Sequence, residues 1–179
     1  MIPDDLVPAD CPWPIVLGLD PGTRVAGFGA LVVAPDALRL LACGVIAPRR
    51  RQPVAARLAH ILDELEQVLA KLRPGVIVIE SAFSARNVHS ALRLGEARGM
   101  MLAVAARSGA SVVELAPAAA KRAVVGHGAG SKEQVAAMVK RMLGREDFDL
   151  PLDATDALAL ALAHVLRSRL LESTRRAAR

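Results

Sequence analysis

Four carboxylates stand where a fold could bring them together. Asp20 follows the apolar run Ile15-Val-Leu-Gly-Leu19, and Glu80 follows Val76-Ile-Val-Ile79. Short apolar runs read as buried strands, and in open α/β sheets ligand sites gather at the carboxyl ends of strands. If these two strands are parallel neighbours, ~4.8 Å apart, the two acids face each other. Like charges that close repel, and one protonates unless a cation intervenes. Asp153 and Asp156 form a further pair, placed on one face of a helix's first turn by their i, i+3 spacing. Converging on one point, the four would bind a hard divalent cation, Mg²⁺ or Mn²⁺, in preference to zinc. Two such ions ~3.5–4 Å apart can activate water and stabilise the leaving oxygen of a phosphodiester. Taken singly, each acid is as readily a turn or cap residue, and Asp153 suits a helix N-cap.

The elements that must position these acids are legible. After the first strand, Asp20-Pro-Gly-Thr-Arg24 is a turn. Residues 25–33 and 38–46 read as strands with Pro35-Asp36 between them, which makes a meander. Residues 54–72 have helical periodicity, with Leu58, Ile61, Leu62, Leu65, Val68, Leu69 and Leu72 on one stripe. Pro74-Gly75 stops that helix. A strand over 76–79, a helix over 88–107 and a strand over 111–115 follow. Pro117 opens a short helix. Gly126-His-Gly-Ala-Gly130 is a loop, and Ser131 with Gln134 forms a capping box for a helix to about Leu143. The last helix starts near Asp153 and passes Arg169. Strands first, then alternating helices and strands, indicate an α/β fold with a mixed sheet.

Composition narrows the setting. The 179 residues suit one domain, and 53% hydrophobic content excludes a mainly disordered chain. No apolar run approaches the ~20 residues of a spanning helix. Residues 1–13 hold Asp4, Asp5 and Asp10 without a Lys or Arg, which is unlike a secretory signal and reads as a flexible arm. The residues from 173 to 179 read as a basic tail after the domain at 14–172. Cys11 and Cys43 have no metal-like spacing, as expected of a reducing cytoplasm. The formal net charge is +5, and Arg167, Arg169, Arg175, Arg176 and Arg179 crowd the C-terminus, which points to a polyanionic partner, nucleic acid first.

Gly18-Leu-Asp-Pro-Gly-Thr-Arg-Val-Ala-Gly-Phe-Gly29 resembles the opening motif of the RuvC family of bacterial Holliday junction resolvases. Glu80-Ser-Ala-Phe-Ser-Ala-Arg-Asn87 resembles its second acidic motif, and Ser90-Ala-Leu-Arg-Leu-Gly-Glu-Ala-Arg-Gly99 the helix that follows. Lys121-Arg-Ala-Val-Val-Gly126 and Lys132-Glu-Gln-Val135 resemble its basic segments, and Asp153-Ala-Thr-Asp-Ala-Leu-Ala-Leu-Ala-Leu-Ala163 its final acidic helix. The matches come in family order over about residues 14 to 170. The resemblance implies an RNase H-like fold: a mixed five-stranded sheet flanked by helices. It also implies a homodimer that nicks four-way DNA junctions symmetrically by a two-metal mechanism and leaves ligatable 5′-phosphates. By position, Asp20, Glu80, Asp153 and Asp156 match the metal-binding acids, Phe83 an aromatic near the junction centre, and Lys121 and Lys132 lysines near the cut phosphate. The expected partners are a junction-binding tetramer and a hexameric branch-migration motor.

The residues themselves agree at several points. Phe83 stands beside polar Ser84, Arg86 and Asn87, where an exposed aromatic could stack on an unpaired base for ~1–3 kcal/mol; packing back on its own domain is the other reading. Arg86 and Arg93 would share a helix face and track a DNA backbone, or simply solvate that face. Lys132 sits as if in a phosphate-gripping loop, yet the P-loop pattern needs Gly directly before Lys and Ser or Thr after it. Here Ser131 precedes and Glu133 follows, so a nucleotide site is rejected. The expected dimer surface is the apolar part of helix 88–107, around Gly99, Met100 and Met101. Three departures from the family stand out: the arm at 1–13, Leu115 in place of an aromatic, and His127 in the glycine loop, read as solvated. His60 and His89 read as surface residues, and His164 is not expected as a ligand. Other readings are an RNA-processing relative of the YqgF group, a non-catalytic junction-binding module, and an actin-like ATPase. The last is too large for 179 residues.

Overall fold

The computed structural model describes residues 11–81, 87–147 and 149–177. Five strands form one sheet: β1 (Ile15–Asp20), β2 (Ala26–Val33), β3 (Leu38–Ile46), β4 (Val76–Glu80) and β5 (Ser111–Leu115). Their spatial order is β3-β2-β1-β4-β5. β1, β2 and β3 pair antiparallel as the meander requires, while β4 lies parallel to β1 and β5 parallel to β4. The helices are α1 (Val54–Leu72), α2 (Val88–Arg107), α3 (Pro117–Val125), α4 (Lys132–Met142) and α5 (Leu152–Ala177).

The period of two along each strand divides the core between the two faces. Leu17 and Leu19 of β1, Phe28 of β2 and Ile77 and Ile79 of β4 face one way, with Leu65 of α1 and Met101 of α2. Val16, Leu31 and Val78 face the other way, with Val124 of α3, Val139 of α4 and Leu158 and Leu162 of α5. α1 buries Ile61, Leu65, Val68, Leu69 and Leu72, the stripe its periodicity predicts. It ends where Arg73 turns left-handed (φ 45°), its N–H bonding the Leu69 carbonyl, since the residue before a proline is barred from continuing a helix. Asn87 caps α2 by accepting the Ser90 N–H at 2.8 Å, and both halves of the Ser131–Gln134 capping box form at α4.

Three expectations are corrected. Met101 is fully buried in its own domain and forms no outward surface of α2, whereas Met100 is half-buried and Gly99 exposed. That face carries Val88 and Leu92 instead, 85% and 60% exposed. Arg93 is held by Glu96 of its own helix at 2.9 Å, the i, i+3 neighbour that helical spacing supplies. Asp153 lies inside the first turn of α5 and not at its cap: the helix starts at Leu152, and the Thr155 N–H bonds the Pro151 carbonyl at 3.0 Å. At its other end α5 continues through the basic residues to Ala177, with Arg175 and Arg176 in a last turn whose dipole favours cations. Among the described residues, no helix is long and apolar enough to cross a membrane.

Candidate active site

Strand parity aims the first two acids. Asp20 has the parity of Val16 and Gly18, and Glu80 that of Val76 and Val78, so both point to the face covered by α5. Leu19 pairs with Ile79 in the parallel register, which leaves Asp20 and Glu80 side by side one step further on. They meet Asp156 of α5, Lys121 of α3 and Lys132 of α4 in a cleft of about 260 Å³. Three hollows are larger: two, about 670 and 560 Å³, lie around Arg73 at the opposite end of the sheet and bring no pair of carboxylates together, and a third, about 460 Å³, lies along α4 with Glu133, Glu146 and Asp149 in its lining, away from the strand ends.

The last helix reaches this position because the sheet beneath it lacks side chains. A Cβ on Gly18 would overlap the Ala157 carbonyl, one on Gly27 the Asp153 carbonyl, and one on Gly29 the Leu158 side chain. Alanines at 154, 157 and 161 of α5 are fully buried. Small residues on both surfaces let the helix backbone lie directly on β1 and β2. That close seat sets the height of Asp153 and Asp156 over the strand ends.

Burial is the main force on Asp20, followed by the charges of Glu80, Asp156 and Asp153; together they raise its pKa to about 7. Glu80 is raised too, by burial first and Asp156 next. Asp153 does not line the cleft, yet its charge reaches Asp20. Lys132 supplies the local balance: its Nζ donates to Asp156 Oδ2 at 2.6 Å, and that bond raises its own pKa. Lys121 Nζ donates to the Gly130 carbonyl at 2.8 Å and ties α3 to the glycine loop. Among the described residues, no three acidic, His or Cys side chains stand in a geometry closed around an ion; the Lys132 ammonium lies among the carboxylates. The donor set still fits a hard divalent cation, since carboxylates buried first and set beside one another second hold their charge best with positive charge among them.

The sequence-derived site therefore assembles at Asp20, Glu80, Asp156, Lys121 and Lys132, with Asp153 at its rim. Phe83 and Arg86 lie outside the described residues. Leu115 is buried in the core, and its carbonyl accepts the Ser81 N–H just beyond Glu80. His127, His60 and His89 are exposed. His164, lowered in pKa by burial and then by Arg167, does not line the cleft.

One residue escaped the sequence reading. Arg98 of α2 donates from Nε to the Glu80 carbonyl at 3.0 Å and forms an ion pair with Glu114 of β5. It fixes the end of β4 from behind, and only the packed fold reveals it. Replacing Arg98 with Met is expected to weaken Mn²⁺ binding by about 10-fold or more, the usual cost of losing an outer partner of a ligand. Calorimetric titration without DNA reads this, and unchanged affinity would refute the positioning role.

A mixed sheet in this order, with acids closing its two central parallel strands and an acid-bearing helix laid across them, defines the RNase H-like class of nuclease folds. The family model for crossover junction endodeoxyribonuclease RuvC matches residues 16–164. The chain belongs to the RuvC family. It is 44% identical over 153 residues to the RuvC of Chlorobaculum parvum, covering 86% of this chain and 82% of that one. It is similar in structure to T. thermophilus RuvC in complex with a Holliday junction substrate, with a TM-score of 0.77 and 31% identity over 87% of this chain and 96% of that one. The yeast mitochondrial Holliday junction resolvase Ydc2, 17% identical with a TM-score of 0.67 over 90% of this chain and 81% of that one, shares the fold.

Proposed function

We propose that this chain is a Holliday junction resolvase. It would nick four-way DNA junctions symmetrically in recombination and repair, depend on divalent metal, and leave ligatable 5′-phosphates. The observation that carries this reading is the cleft where Asp20, Glu80 and Asp156 meet Lys121 and Lys132 in a chain of the RuvC family. The raised pKa of Asp20, due to burial first and to the neighbouring carboxylates next, adds support, because a bound cation would offset both.

Asp20, Glu80, Asp153 and Asp156 would hold two divalent cations, Mg²⁺ or Mn²⁺, as ligands and not as nucleophiles. The bound cations supply Lewis-acid polarisation of the scissile phosphate and activation of water. Water attacks phosphorus in line, the bond to the 3′ oxygen breaks, and the 5′ side keeps the phosphate. Lys121 and Lys132 would bind phosphate oxygens, Lys132 exchanging its 2.6 Å bond to Asp156 for the DNA. Phe83 and Arg86, in the sequence after Glu80, contact the junction. Paired nicks need two such sites, and the outward apolar residues Val88 and Leu92 of α2 support a homodimer through that helix. The protein works in the cytoplasm, with a junction-binding tetramer and a hexameric branch-migration motor as partners.

The test is cleavage of an end-labelled synthetic four-way junction on a denaturing gel, beside matched linear duplex, with Mn²⁺, Mg²⁺ or EDTA. Paired nicks at symmetric positions are expected on the junction alone, lost with EDTA and indifferent to ATP. Equal cutting of linear duplex, or cutting that survives EDTA, would overturn the reading.

A further inference from the structure

The sheet order places a second basic group beside the cleft. β3 runs in the direction of β1, so its carboxyl end lies at the end of the sheet that holds Asp20. Asp20 pairs with Gly27 and Gly27 with Val45, which puts Val45 about 10 Å from Asp20 across two strand spacings. The chain then leaves β3 through Ala47 and Pro48 into the consecutive arginines Arg49, Arg50 and Arg51. These lie no more than about 30 Å from Asp20 by chain reach. Arg24 lies in the turn between β1 and β2 at the same end of the sheet, two residues before Ala26, the partner of Ile46.

All four arginines are exposed. None has an ion-pair or side-chain hydrogen-bond partner among the described residues. Their loop is nevertheless fixed. Pro48 is buried, the Gln52 N–H bonds the Arg49 carbonyl at 3.2 Å, Arg57 Nη1 donates to the Gln52 carbonyl at 3.4 Å, and Pro53 caps α1. The charges also sit where stability disfavours them. They precede the N-terminus of α1, the positive end of its dipole, and the first turn of α1 contains no acid. A set of exposed cations without partners among the described residues, at the end of the sheet that holds Asp20 and at an electrostatic disadvantage, is suited to a polyanion lying across that end of the sheet.

We infer that Arg49, Arg50 and Arg51 form a docking surface for the phosphate backbone of a duplex arm of the junction, continuous with the cleft through Arg24. This rests on the resolvase reading. The surface carries no base recognition; it lengthens the electrostatic track and sets how an arm leaves the cleft.

The experiment compares the wild-type protein with the triple variant R49Q/R50Q/R51Q. Binding to a labelled four-way junction is measured by fluorescence anisotropy in EDTA from 50 to 200 mM salt, and thermal midpoints without DNA. The variant is expected to bind at least about 10-fold more weakly at 100 mM salt. Its slope of log affinity against log salt should be shallower by about 2–3, near 0.9 for each phosphate the arginines no longer neutralise. Its thermal midpoint should equal or exceed that of the wild type, since unfavourable charge is removed from a helix N-terminus. A slope changed by less than one unit, or a lower midpoint that accounts for weaker binding, overturns the docking surface while the wild type still binds and cuts. A wild-type protein that neither binds nor cuts the junction overturns the resolvase reading and this one with it.

Discussion

Replacing Asp20 with Asn is expected to abolish cleavage and, in the same protein without metal, to raise thermal stability. Both effects follow from one arrangement. Asp20 is buried at the end of β1 among Glu80, Asp156 and Asp153, and its pKa is raised from 3.8 to about 7. Asn keeps the shape but supplies no charge to hold a cation. Losing an outer partner of a metal ligand costs 10–100-fold, so losing the ligand should reduce the rate by more than about 100-fold. Junction binding should persist, because Lys121, Lys132 and the surface arginines are untouched.

The stability effect has a defined sign. The folded state keeps the Asp20 proton up to about pH 7, whereas the unfolded chain releases it above about 3.8. Folding is therefore penalised as pH rises between those values, and the penalty is complete above 7. A shift of about three units corresponds to at most about 4 kcal/mol. For a domain of this size that is on the order of 10 °C in melting temperature. Scanning calorimetry in EDTA should show Asp20→Asn melting well above the wild type at pH 8 and level with it near pH 4. A gap that does not change with pH would refute the electrostatic account. Mn²⁺ at pH 8 should close the gap, because only the wild type gains from binding it.

The elements that carry these acids were legible because each is written locally. Apolar runs fix β1 and β4, the Leu and Ile stripe fixes α1, and Ser131 with Gln134 fixes the start of α4. The convergence of Asp20 and Glu80 needed only that β1 and β4 be parallel neighbours, which their register bears out. What escaped depends on packing between segments distant in sequence. Met101 reads as readily outward as inward until the sheet is placed behind it. The grip of Arg98 on Glu80 exists only once α2 lies over β4 and β5. The place of Arg49, Arg50 and Arg51 follows only from the order β3-β2-β1, which brings them to the end of the sheet that holds the acids. The cap position of Asp153 failed for a local reason: Pro151 offers its carbonyl to Thr155 first.

The glycines of the opening motif lead to the second large expectation. Gly18 and Gly27 lie within strands, paired in register with Val78 and Val45, where glycine is a poor strand former. Their purpose is the missing Cβ: the backbone of α5 occupies that space, with the Ala157 carbonyl over Gly18 and the Asp153 carbonyl over Gly27. A helix backbone cannot yield as a flexible side chain does, so Gly18→Ala must lift α5 from the sheet. Overpacking a core costs about 1–3 kcal/mol and more where the backbone must move, so a fall of about 10 °C in melting temperature is expected. Gly27→Ala should add a loss of metal affinity, because the carbonyl it displaces belongs to Asp153 itself. Gly75→Ala makes the same chemical change where nothing lies within 4 Å and should leave the melting temperature level or slightly higher. Calorimetry of the three variants, with Mn²⁺ titration of those that remain folded, separates the outcomes. If Gly18→Ala melted with Gly75→Ala, the close seat of α5 would not be what sets the height of the acids. If Gly27→Ala lost stability but bound Mn²⁺ normally, Asp153 would have to act from the rim without holding the ion.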